Sequence, residues 1–234
     1  MDIKDSTKNK LSTAGVLVSL GIIYGDIGTS PLYVFKAIVG EHTITEELVL
    51  GGASCVIWTL TLITSIKYVY LALNADNKGE GGIFALYALV RRYKVQWVIF
   101  PAIIGCATLI SDGFITPAIS ISAAIEGLTI GNPNFPTVPV VIIILILLFF
   151  FQQFGTNVVG KTFGPIMMVW FITLGVFGMI HLAQNPIVLK AFNPMYAINL
   201  LTKYPGGFWL LGAVFLCTTG AEALYSDLGH CGKG

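Results

Sequence analysis

Four acidic residues stand in the middle of long apolar stretches, where charge is most costly: Asp26, Asp112, Glu222 and Asp227. On insertion scales a central Asp costs about 2.5–3.5 kcal/mol, so Asp26, Asp112 and Glu222 together would cost roughly 8–10 kcal/mol without compensation. Ionisable residues placed in this way face a bundle interior or an aqueous cavity and mark paths for ions or protons. The basic residues within the same stretches are Lys36 and Lys67. Two lysines cannot neutralise three carboxylates, so an ion or a proton is the expected partner of at least one. Pairing with the lysines is the structural alternative.

The neighbours of these acids supply oxygen. Around Asp26 the chain reads Tyr24-Gly25-Asp26-Ile27-Gly28-Thr29-Ser30-Pro31-Leu32-Tyr33. Glycine and proline are poor helix formers, and Pro31 cannot donate to the carbonyl of Ile27. The spacing predicts a helix break that exposes carbonyl oxygens beside Asp26, the way discontinuous transporter helices build cation sites. A glycine-lined helix contact along Gly21, Gly25 and Gly28 fits the same pattern but gives Asp26 no role. Further on, Asp112, Thr116 and Ser120 are spaced i, i+4, i+8 and share one helix face. Pro117 leaves the carbonyl of Gly113 without its helical donor. A carboxylate, two hydroxyls and a free carbonyl are hard ligands, which suit alkali or alkaline-earth cations. The alternative is that Thr116 and Ser120 bond back to their own helix. In the last apolar stretch Thr219 and Glu222 lie at i, i+3, followed by Tyr225, Asp227 and Gly229.

Charge balance assigns roles among the acids. One monovalent cation among three ionised carboxylates leaves surplus negative charge, so at least one acid is expected to carry a proton. Glu222 is the candidate, because its longer side chain swings further than an aspartate and lies beside Thr219. Asp26 and Asp112 are then expected to hold the cation.

The elements that carry these residues are long apolar helices. The chain has 234 residues, 55% hydrophobic and 11% charged, and its mean hydropathy is +0.82. A soluble domain carries roughly a quarter charged residues, so much of this surface must face lipid. Windows of spanning length fall at 14–39, 48–74, 97–125, 138–154, 163–183 and 206–230, which predicts six transmembrane helices after a polar tail over 1–13. Residues 81–94 read instead as a short amphipathic interfacial helix, through Ile83, Leu86, Leu89, Val90 and Tyr93. Lys4, Lys8, Lys10, Lys78, Arg91, Arg92, Lys94 and Lys161 fall in one set of loops, and only Lys190 and Lys203 in the other. The positive-inside rule therefore puts the N-terminus in the cytoplasm. A net charge of +1 excludes a nucleic-acid partner. Cys55, Cys106, Cys217 and Cys231 lack metal-ligand spacing and read as small hydrophobes, and no cleavable leader is expected at the front. A broken first helix, four further spans and a second broken helix form the trace of an inverted-repeat transporter, with 14–234 as its membrane domain.

With these residues in place, the sequence closely resembles the KUP (HAK/KUP/KT) family of potassium uptake permeases. The resemblance rests on Tyr24–Tyr33, Asn77–Leu86, Ser111–Leu128, Phe192–Asn199 and Thr218–Gly232, five segments in order over almost the whole chain. It implies an all-α membrane protein with a LeuT-like core of the APC type, in which helices one and six are broken. It also implies uptake of K+ across the plasma membrane, many members coupling it to protons, with no cofactor and no enzymatic activity. Residue by residue, the family pattern implies a K+ site at Asp26, Tyr33, Asp112, Thr116, Ser120, Thr219 and Glu222. Members have about twelve helices and usually a soluble C-terminal domain, so this chain is expected to be the N-terminal portion of a longer protein, with a homodimer as the expected assembly of the whole. Lys78 departs from the commoner uncharged residue in its segment.

Other classes fit less well. An intramembrane aspartyl protease would show G-x-G-D, and here Ile23 stands two residues before Gly25. An amino-acid permease of the same fold offers backbone amides to a carboxylate at its first break, where Asp26 would repel that anion. A purely structural membrane scaffold leaves the carboxylates without a role.

Overall fold

The computed structural model describes residues 21, 24–40, 43–153, 156–204 and 206–226. The tail over 1–13, with Lys4, Lys8 and Lys10, lies outside the described residues, as do Asp227, Gly229 and Cys231. Among the described residues every regular element is helical, and a lone bridge between Asn77 and Glu80 closes a tight loop.

The first helical stretch is divided into α1 (Tyr24–Thr29) and α2 (Pro31–Val39). Proline suits the first turn of a helix, where its missing N–H has no partner to lose. Ser30, between the two, keeps helical dihedrals (φ −53°, ψ −37°), and its carbonyl accepts from both Tyr33 N at 3.2 Å and Val34 N at 3.1 Å. Here the hydrogen-bond ladder is interrupted while the Ser30 backbone stays helical.

Helix α3 (Glu46–Thr59) begins at Thr45, whose Oγ1 accepts from Leu48 N at 3.2 Å, with Glu46 and Glu47 in the first turn complementing the dipole. Its bonding widens to an i→i+5 pattern over Leu60–Leu71 and tightens over Ala72–Asn74. There follow α4 (Gly82–Arg91), α5 (Ile99–Thr129), α6 (Thr137–Gln152) and α7 (Thr156–Gln184). The last elements are α8 (Pro194–Lys203), α9 (Gly207–Phe215) and the short α10 (Ala223–Ser226).

Among the described residues four stretches are long and apolar enough to cross a membrane: Glu46–Asn74, Gln96–Thr129, Phe163–Gln184 and Gly207–Ser226. Helix α6 is equally apolar but shorter, its 16 residues spanning about 24 Å. The amphipathic segment forms α4, whose Ile83, Tyr87 and Val90 pack over Pro101, Ala102 and Gly105 at the start of α5.

The core sits where α2, α3, α8 and α9 meet, around Val34, Ile38, Leu48, Ala197, Leu200 and Val214. Helix α8 comes close because Gly51 has no side chain, since a Cβ there would lie 2.8 Å from Leu200 Cβ. By contrast, α5, α6 and α7 turn large apolar side chains outward, among them Ile103, Phe114, Ile142, Ile146, Val169 and Phe177. In water such a surface would be a severe liability, and in lipid it is the ordinary face of a spanning helix.

Candidate functional site

At the end of the last spanning stretch, α9 passes into a tight turn at Leu216–Thr218 and then loses helical form. Thr219 is extended (φ −56°, ψ 132°), Gly220 has φ +89°, and helix resumes as α10. Only glycine adopts such a φ without steric cost.

The same glycine makes room for Asp26. A Cβ at Gly220 would stand 2.8 Å from Asp26 Cβ and 2.9 Å from Asp26 Oδ2, so the Asp26 side chain rests directly on the Gly220 backbone. The Gly220 N–H donates to Glu222 Oε1 at 3.3 Å. Asp26, Asp112 and Glu222 lie within electrostatic reach of one another, with Glu222 next to the Asp112 side chain.

Around Asp26 the hydroxyls of Thr29 and Ser30 donate to its carbonyl at 2.9 and 3.3 Å. Ser30 Oγ also lies 3.1 Å from the hydroxyl of Tyr33, and Thr219 adjoins that hydroxyl from the other segment. Ser30 is 1% exposed and Tyr33 7%. The helix α7 Trp170 Nε1 donates to Gly28 O at 2.8 Å. Gly28 is itself a close contact, since a Cβ there would meet the Phe171 and Met167 side chains at 2.6 and 2.9 Å. The glycine contact and the carboxylate site therefore coexist in α1, with Gly28 turned to α7 and Asp26 to Gly220.

On α5, Thr116 is buried, and its Oγ1 donates to Asp112 Oδ1 at 2.7 Å rather than to its own helix backbone. Thr108, in the same helix, bonds back to the Ile104 and Gly105 carbonyls. One turn beyond Thr116, the Ser120 hydroxyl is buried with no partner among the described residues. A second such hydroxyl, Thr64 Oγ1, lies in the Leu60–Leu71 segment, which packs against Leu216–Thr218. Its sequence surroundings carry neither acid nor proline, so nothing in the pattern singled it out. Ser30 falls within the segment around Asp26, where the sequence pattern gives it no role of its own.

The lysines do not neutralise these acids. Lys36 pairs with Glu126, and Lys67 Nζ sits 4.9 Å from the centre of the Tyr68 ring. Among the described residues no cluster of three His, Cys, Asp or Glu side chains forms a metal-binding group. What converges is a set of three carboxylate-bearing segments with hydroxyls beside them, hard oxygen donors of the kind that suit alkali or alkaline-earth cations. Asp26, Tyr33, Thr219 and Glu222 come together across two chain segments, and Asp112 with Thr116 and Ser120 form a stripe on α5 beside them.

The chain matches the family described as "K+ potassium transporter integral membrane domain" over residues 13–234. It is similar to the potassium transport system protein Kup of Cytophaga hutchinsonii, 62% identical over 237 residues that cover 99% of this chain and 36% of the relative. The protein of the same name from Enterococcus faecalis is 51% identical over 241 residues, covering 97% and 36%. The chain thus spans little more than a third of the length of the curated relatives it matches. No solved structure matches it.

Proposed function

Since this chain belongs to the potassium transporter family, we propose that the whole protein takes up K+ across the plasma membrane by K+/H+ symport, with its N-terminus in the cytoplasm. The observation that carries this reading is the seating of Asp26 on Gly220, which brings the interrupted first stretch and the non-helical turn of the last one to the same point. An ion there meets carboxylates and hydroxyls drawn from separate chain segments, the arrangement by which discontinuous transporter helices bind their ions. The cation ligands in this reading are Asp26, Tyr33, Asp112, Thr116, Ser120, Thr219 and Glu222. The Ser120 hydroxyl, buried and without a partner among the described residues, supports its inclusion, because such a group otherwise costs about 1–3 kcal/mol.

Glu222 is the proton carrier in this scheme. Its Oε1 accepts from the Gly220 N–H at 3.3 Å and its side chain adjoins that of Asp112, and a neutral Glu222 leaves Asp26 and Asp112 to balance the cation. A LeuT-like core of inverted repeats, lipid around α5–α7 and a homodimer complete the proposed assembly. The test is growth: expressed from its complete reading frame, the protein should restore growth at limiting K+ to cells lacking their own uptake systems. No rescue despite confirmed membrane insertion would overturn the reading.

A further inference from the structure

Above the site, a cavity of about 470 Å³ opens between α2 and α5, lined by Tyr33, Lys36, Ala118, Ser122, Glu126 and Leu216. Tyr33 lines it and belongs to the candidate cation site as well, since its hydroxyl meets Ser30 and adjoins Thr219. Lys36, one turn above Tyr33 on α2, and Glu126, one turn above Ser122 on α5, form an ion pair at the rim.

That pair does little for the fold. The two side chains are 68% and 46% exposed, and exposed pairs contribute about 0–1 kcal/mol. Its position is what stands out: the ammonium and the carboxylate line the same open space as Tyr33, one of the candidate ligands. The volume is many times the roughly 30 Å³ taken up by one water in the liquid, and gives room for a hydrated cation. Small residues, Ala118 on α5 and Ala37 on α2, keep it open, and Ser122 adds a hydroxyl to its lining.

We propose that the Glu126 carboxylate is an outer binding site for a monovalent alkali cation, occupied in this structure by the Lys36 ammonium, which an arriving cation displaces. The ammonium carries the same single charge as the cation and acts as a tethered competitor for it. An exposed pair exchanges partners readily, because water already screens it. Once Lys36 swings away, the cation held by Glu126 has Ser122 and then Tyr33 ahead of it. This inference rests on the transport reading and on its outward placement of the α2 and α5 ends.

Concentration-dependent Rb+ uptake by the complete protein in proteoliposomes tests it, with membrane insertion and thermal stability measured for each variant. Glu126→Gln removes the site and should raise KM about fivefold. Lys36→Gln removes the competitor and should lower KM, while Lys36→Arg, which keeps the charge, should stay near wild type. A merely structural pair predicts instead that Glu126→Gln and Lys36→Gln shift KM in the same direction, or not at all, and either result would overturn the proposal. So would an equal fall in KM from Lys203→Gln, which would reduce the effect to general surface charge. If wild type takes up no Rb+ at all, the transport reading fails and takes this inference with it. Normal wild-type uptake with unchanged variants sinks the inference alone.

Discussion

The Asp26 carboxylate lies directly against Gly220, and the absence of a side chain at Gly220 is what leaves it that space. Two segments from opposite ends of the chain meet there, one interrupted at Ser30 and the other bent through Thr219 and Gly220. The contact joins a full negative charge to a backbone conformation that only glycine takes without strain.

Gly220→Ala should therefore damage the site from two sides. The positive φ costs an alanine about 1–2 kcal/mol, and the new Cβ would stand 2.8 Å from Asp26 Cβ. Rb+ uptake should fall about tenfold or more in kcat/KM, with the protein still inserted. Full activity in Gly220→Ala would show that Asp26 does not need to sit there.

Asp26→Asn keeps the size and one carbonyl oxygen and removes the charge. It should abolish uptake or reduce it at least about tenfold, the scale of one lost charged interaction. Insertion should survive, because neutralising a membrane carboxylate lowers its transfer cost. Cellular Rb+ uptake normalised to membrane protein measures this, and uptake near wild type would remove Asp26 from the ligand set.

Glu222→Gln should separate the proton from the cation. Proton flux coupled to K+ should fall to the background of empty liposomes, while Rb+ binding or exchange persists. Both are measured on one purified variant. Retained coupling would move the proton site elsewhere, with Asp112 next, since Glu222 adjoins its side chain.

Topology is open to direct reading. A reporter fused near Glu46, at the start of α3, should report the outer side, and one fused near Arg92, just after α4, the inner side. The opposite pattern at either position would overturn the proposed orientation.

How far the fold and site could be read from residues alone follows from the range of each interaction. Apolar windows marked the four long spans, because lipid exposure is written into every residue of a helix. The i, i+4 spacing of Asp112 and Thr116 already implied neighbours one turn apart, and their 2.7 Å hydrogen bond follows from helix geometry. The 31 residues of α5 run through Pro117 without interruption, whereas Pro31 coincides with a division between two helices, and proline by itself does not distinguish the two outcomes. Helix packing against α3, α5 and α9 sets the context around α2 that local propensity lacks.

Membrane character, the positions of the acids within the apolar stretches and the oxygen-rich composition around them were determined by sequence, because hydrophobicity and helical period act over a few neighbouring residues. Partner choice was decided only by tertiary structure. Nothing in the local pattern says that Lys36 turns to Glu126 and leaves the site acids unpaired, that Trp170 caps the Gly28 carbonyl, or that Gly220 makes room for Asp26. Each of these joins residues far apart in the chain, and each depends on which helix faces pack together at close range, a property of the assembled bundle rather than of any one segment.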